Sequence, residues 1–131
     1  MTTLKVGIAS YAEMKARTLR IARGEHRPST DEPKVWFTST ESFAKVLSVG
    51  NRELLQTIDD KTPGSLDELA RLTGRAKSNL SRTLKTMAGY GLVRLEKGER
   101  GRIIPRVTHD RVELDLSLTR RQPVDRKRKA A

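Results

Sequence analysis

The sequence predicts an α+β fold, mainly helical. Three observations lead there. Between Ser65 and Val107 two short amphipathic stretches, a glycine turn and a basic hairpin follow one another without interruption. Just before them, Leu54, Leu55 and Ile58 recur at helical spacing. Near the two termini, Leu4, Val6 and Ile8, and then Val112, Leu114, Leu116 and Leu118, alternate with polar residues or glycine, the period of a half-buried strand. Helix, turn, helix and hairpin in that order make a winged helix-turn-helix core, with strand and helix extensions at both ends.

The N-terminal strand places Leu4, Val6 and Ile8 on one face. A helix is expected from Ser10, a good N-cap, to Arg23, with Tyr11, Met14, Thr18 and Ile21 on one stripe and Gly24 as its stop. Lys15, Arg17, Arg20, Arg23 and Arg27 make this segment strongly basic. Solvated charge on an exposed face is their expected role, and a second DNA-contacting surface is the alternative. The segment 26–33 is polar and holds Pro28 and Pro33, so it reads as a connector. It divides an N-terminal arm, residues 1–33, from a core domain at 34–110.

In the core, Lys34 to Phe37 is a brief strand, with Trp36 and Phe37 as core or interface anchors. Thr38 and Glu41 offer a capping box to a helix bearing Phe43, Val46 and Leu47. Gly50-Asn51 is expected to break that helix and cap the next, which runs to Thr62-Pro63-Gly64. The predicted bundle is then Asn51 to Lys61, Leu66 to Leu72 and Lys77 to Tyr90, with Leu54, Ile58, Leu69, Leu80, Leu84 and Met87 meeting in its centre. Ser65 and Glu68 form a capping box for the second of these helices, and Gly74 supplies the left-handed residue that stops it. On the third, Arg75, Lys77, Ser78, Asn79, Ser81, Arg82 and Lys85 lie away from the apolar stripe; four are cationic and none is acidic. A phosphate-lined groove suits such a face.

The hairpin follows as Leu92 to Lys97 and Arg102 to Val107 around Gly98-Glu99-Arg100-Gly101. Pro105 cannot donate to a ladder, so its strand should be an edge or end there. Residues 111–119 form a C-terminal strand, expected to pair with the N-terminal strand or with a second subunit. The run from Arg120 to Ala131 is basic and nearly devoid of apolar residues, the composition of a disordered tail.

The run LARLTGRAKSNLSRTLKTMAGYGLVRLEKGERGR, Leu69 to Arg102, resembles the winged helix-turn-helix of MarR-type bacterial and archaeal regulators. In that family a small residue and a Ser/Arg pair mark the recognition helix, and "GLV" leads into the wing. The resemblance implies that Arg100 and Arg102 follow the DNA backbone or enter the minor groove. One departure is Ala76, where the family's pattern has Ser or a similar acceptor as helix cap. The first amides of that helix then lack a side-chain partner, which a DNA phosphate or water can supply.

Composition narrows the function. The chain has 131 residues, 35% of them hydrophobic, and a formal charge of +11, enough for one small core and a polyanionic partner. No apolar run approaches the roughly 20 residues of a membrane span, and no signal peptide is apparent, so a cytoplasmic protein without membrane association is expected. With no cysteine, disulfides, thiol nucleophiles and cysteine zinc sites are excluded. His26 and His109 are isolated, no glycine loop cradles phosphate, and Asp31-Glu32 and Asp59-Asp60 read as solvated charge; no catalytic residue, metal or cofactor is expected. Five aromatic residues are few for single-strand stacking, which favours duplex DNA over an RNA-binding role. The leading expectation is a sequence-specific DNA-binding regulator, a repressor acting as a homodimer. The alternative is an antitoxin that also clamps a toxin. For either partner the expected surface comprises Leu4, Val6, Ile8, Tyr11, Met14, Ile21, Val112, Leu114, Leu116 and Leu118.

Overall fold

The computed structural model describes residues 2–119; the basic run expected to form a disordered tail lies outside them. The chain is α+β. Strand β1 (Thr3–Ile8) is central in a three-stranded sheet, with β2 (Val35–Phe37) on one side and β5 (Arg111–Asp115) on the other, both parallel to it. Helix α1 (Tyr11–Ala22) crosses from β1 to β2. Helices α2 (Thr40–Val46), α3 (Val49–Lys61), α4 (Leu66–Thr73) and α5 (Lys77–Gly89) follow, then the antiparallel hairpin β3 (Val93–Lys97) and β4 (Ile103–Val107). None of the described helices is long and apolar enough to cross a membrane.

Strand register fixes what each face of the sheet meets. Leu4 pairs with Val112, Val6 with Val35 and Leu114, and Ile8 with Phe37. Paired positions share a face. That face turns inward: Leu4, Val6 and Phe37 join Leu54, Ile58, Leu66, Leu69, Leu80, Leu84, Met87, Leu92 and Val93 in one buried cluster, with Ile8 and Val112 packed on it. Two expectations are thereby corrected. Residues 1–33 are not an arm set apart from a core at 34–110, because Leu4 and Val6 belong to that same core. For the same reason Leu4 and Val6, 6% and 0% exposed, offer nothing to a partner.

The C-terminal strand pairs with β1, as one of its two expected partners. It ends at Asp115, so Leu116 and Leu118 lie beyond it. Of the remaining apolar residues assigned to a partner, Met14, Ile21 and Val112 are half-buried, while Tyr11, Leu114, Leu116 and Leu118 are exposed.

Helix starts follow side-chain chemistry. Ser10 accepts from the Glu13 amide and Glu13 reaches back to the Ser10 amide, satisfying two orphan donors. Two boundaries differ from expectation by a residue or more. Ser39, not Thr38, caps α2 by accepting from Ser42 N, and Ser48, not Asn51, caps α3 by accepting from Asn51 N. Gly50 and Asn51 therefore sit inside the first turn of α3, because a cap hydroxyl three residues before its donor outweighs the usual breaking tendency of Gly-Asn. The bundle core itself is as expected, with Leu54, Ile58, Leu69, Leu80, Leu84 and Met87 all buried.

The other face of the sheet carries a polar clamp. Gly7 pairs with Trp36, and the indole lies so close that a Cβ on Gly7 would come within 2.5 Å of its ring. Above Trp36, at 5.4 Å, sits the Arg17 guanidinium from α1, a cation–π contact. Arg17 Nη2 also meets Glu32 Oε2 at 2.8 Å, and His26 Nε2 meets Glu32 Oε1 at 2.9 Å. The expected roles of Arg17 and Glu32 as solvated charges are thus corrected: their side chains are 19% and 14% exposed. Burial pushes the Glu32 carboxyl up, but hydrogen bonds from Arg17 and His26 and their charges outweigh it and hold the group below its ordinary value.

Two expected outcomes follow. Gly7→Ala forces the indole aside, an overpacking penalty of about 1–3 kcal/mol in chemical denaturation. A carboxyl held low contributes stability above its unfolded pKa and loses it as pH falls through the folded value. Wild type is therefore expected to lose stability more steeply than Glu32→Gln as pH drops below the ordinary carboxylate range, read from denaturant midpoints at each pH.

Candidate nucleic-acid interface

Helix α4 starts at Ser65, whose hydroxyl accepts from the Glu68 amide at 3.1 Å. Glu68 reaches back to the Gly64 amide at 2.8 Å, one residue before the cap. Gly74 closes the helix at φ 74°, left-handed backbone that glycine adopts without a Cβ clash. The chain then turns through Arg75 and Ala76 into α5, and Ala76 makes no side-chain cap. Leu80, Leu84 and Met87 on α5 are buried. Their burial fixes the rotation of the helix, so Lys77, Ser78, Asn79, Arg82 and Lys85 are exposed and Ser81 is half-buried.

Two members of the predicted set have partners within the chain. Arg75 is half-buried and donates from Nη1 to Asn51 Oδ1 at 3.1 Å, while Asn51 Nδ2 donates to Val46 O at 3.0 Å. Arg75 therefore staples the turn to α3 instead of joining the outward face, a correction that follows from its proximity to the first turn of α3. Lys77 Nζ lies 3.1 Å from Asp67 Oδ1, an exposed pair of small energetic weight that a competing phosphate can replace. Arg82, Lys85, Arg100 and Arg102 make no ion pair among the described residues.

The hairpin pairs Val93 with Val107 through to Lys97 with Ile103. Having two strands, it consists of edges, and Pro105 sits buried in β4 opposite Leu95. Arg106 Nε lies 3.5 Å from Glu96 Oε1, and its Nη1 donates to Pro63 O at 3.4 Å, which ties the hairpin to the loop before α4. At the tip a single 3-10 turn carries Arg100 at φ 59° and Gly101 at φ 73°. Arg100 and Arg102 are exposed there. Lys97, exposed at the end of β3, is a further cation at this tip that the sequence reading passed over; its position directly before Gly98 was the available signal.

The HVO_A0114 family model matches residues 46–114, from the end of α2 into β5 and more than half of the chain. No curated protein and no solved structure matches.

Left-handed backbone costs a residue with a Cβ about 1–2 kcal/mol. Gly101→Ala, with open space around the added methyl, is expected to lose that amount in thermal denaturation. Arg100→Gly is expected to melt no lower than wild type, which makes it a clean probe of the Arg100 charge.

Proposed function

The chain belongs to the HVO_A0114 family, and from the surface just described we propose that it binds duplex DNA sequence-specifically as a transcriptional regulator, through a winged helix-turn-helix formed by α3, α4, α5 and the β3–β4 hairpin. The observation that carries this reading is the outward face of α5. Ser78, Asn79, Arg82 and Lys85 stand exposed on it, while its opposite face is spent on the core, and the helix contains no carboxylate.

The roles divide by chemistry. Asn79 and Arg82 carry the planar donor and acceptor groups that match adenine and guanine edges in a major groove. Lys77, Ser78 and Lys85 suit phosphates, as do the uncapped amides at the start of α5. Arg100 and Arg102 at the hairpin tip suit the backbone or adjacent minor groove. The formal charge of +11 adds a field that draws any polyanion toward the protein. A dimer on a pseudo-palindromic site gives the second half-site one helical turn away, roughly 34–36 Å, and a repressor that occludes a promoter is the simplest regulator of this kind.

A second reading, an antitoxin that clamps a partner protein while occupying DNA, draws support from the exposed Leu114, Leu116 and Leu118. It differs in requiring a stable complex with a toxin.

Selection from random duplex DNA, followed by titration of the enriched site, tests the DNA reading. Asn79→Ala and Arg82→Ala are each expected to cost about 1–3 kcal/mol on that site with the fold unchanged. Arg100→Gly is expected to weaken all sequences alike and to flatten the salt dependence by about one unit of slope. Failure to enrich any duplex, or stronger binding to folded RNA at equal salt, overturns the proposal.

A further inference from the structure

β5 lies at the margin of the three-stranded sheet, and no strand covers its outer edge among the described residues. Such an edge presents main-chain donors and acceptors to any extended segment of matching pattern. On the core-facing side Leu114 is 39% exposed. With Val112 it overhangs an apolar groove of about 1010 Å³, lined also by Phe43, Leu47, Val49 and Leu55. On the opposite side stand Arg111, Glu113 and Asp115. The chain's own remaining segment does not suit the groove: residues 120–131 hold six Lys and Arg and, apart from two terminal alanines, one aliphatic residue, Val124.

We propose that β5 is the seam of a homodimer, pairing antiparallel with β5 of a second copy about a two-fold axis at Glu113. The sequence Arg111-Val112-Glu113-Leu114-Asp115 is self-complementary in that register. Each Arg111 falls opposite the other copy's Asp115, and each Val112 opposite the other copy's Leu114. Opposite residues share a face, so the second copy's Val112 and Leu114 continue the apolar row above the groove, while the charge pairs lie on the other side.

The two Glu113 side chains meet on the axis. Lys5, paired with Glu113 in the β1–β5 register, lies beside each of them on the same face and, although its Nζ also sits 3.9 Å from Asp31, reduces the repulsion without neutralising it. Other centres are worse. One at Val112 sets Arg111 against Glu113 but also Asp110 against Leu114, losing the Val112–Leu114 pairs, and keeps only Arg111 to Glu113 of the strand in the ladder. An axis at Leu114 opposes Glu113 to Asp115 twice, and one at Arg111 opposes two arginines, both destabilising on a sheet. The result is a continuous sheet of order β2-β1-β5-β5-β1-β2, in which no outer edge of β5 remains. This interface stands apart from the DNA-binding face and holds whether or not the protein binds DNA.

The absence of cysteine makes a direct test available on the full chain. Across an antiparallel pair the Cα atoms lie about 4.5–5.5 Å apart, inside the disulfide range of about 4.4–6.8 Å. Copper-catalysed oxidation of Glu113→Cys is expected to give a covalent dimer on a non-reducing gel. Arg111→Cys alone, about 14 Å from its own copy in this register, is expected to stay uncrosslinked, and adding Asp115→Cys restores crosslinking. Light scattering without DNA is expected to report a dimer for wild type and a monomer for Leu114→Asp with an unchanged circular dichroism spectrum. A monomeric wild type, or crosslinking of Arg111→Cys as efficient as that of Glu113→Cys, overturns the proposal. Capture of the edge by a different protein in place of self-pairing does so too.

Discussion

Phe37 joins the two layers of this molecule. Its ring, excluded from solvent, stacks on Tyr90 at 4.1 Å and meets the edge of Phe43 at 5.2 Å. β2 has three residues, too few for its ladder to hold it firmly, and aromatic pairs add about 0.5–1.5 kcal/mol each beyond the area they bury. Tyr90 directly follows α5, so the stack also fixes where that helix ends. There Leu92 N donates to Met87 O at 2.9 Å, and Gly91 turns at φ 79° into the hairpin. The sheet thus braces the C-terminal end of α5, whose rotation the burial of Leu80, Leu84 and Met87 sets.

The two faces of the sheet are covered by different physics. Apolar burial covers the inner one. Over the outer one lies α1, a helix with no buried residue, held through Arg17. Its guanidinium serves Trp36 through the ring face and Glu32 through a charge-assisted hydrogen bond, a double use open to a planar, delocalised cation and closed to an ammonium. Removing Arg17 leaves the largely buried Glu32 with His26 alone, and removing Glu32 leaves the guanidinium with only the indole face, the costly way to break such a pair.

The same distinction sorts the cations of a chain with a formal charge of +11. Arg17, Arg75 and Arg106 spend their donors on Glu32, Asn51, Glu96 and Pro63 O, and Lys77 is loosely held by Asp67. Among the cations left exposed, Arg82, Lys85, Arg100 and Arg102 are those of the proposed surface. They lie on one helix and one turn that the core and Arg106 brace against each other. A polyanion bound there, as proposed, would meet a preformed cationic surface, with less side-chain and loop ordering to offset on binding.

Much of this was legible in the chain of residues. Periodicity placed α1, α3, α4, α5 and the hairpin, because a stripe at 3.6 residues or an alternation of two is what a buried face requires. Gly74 and Ser65 marked their boundaries through local backbone chemistry. The outward face of α5 was likewise readable, since burying Leu80, Leu84 and Met87 leaves Asn79 and Arg82 no other direction. Tertiary structure alone decided the rest. Whether Leu4 and Val6 served the chain's own core or a partner depended on β1 pairing with strands 29 and 108 residues away in its register, Val35 with Val6 and Val112 with Leu4. Whether Arg17 and Arg75 were solvated or structural depended on Glu32 and Asn51 being brought beside them. Apolar spacing says that a residue will be buried, but charge and alternation do not say against what, because partners distant in sequence are chosen by the packing of the whole chain.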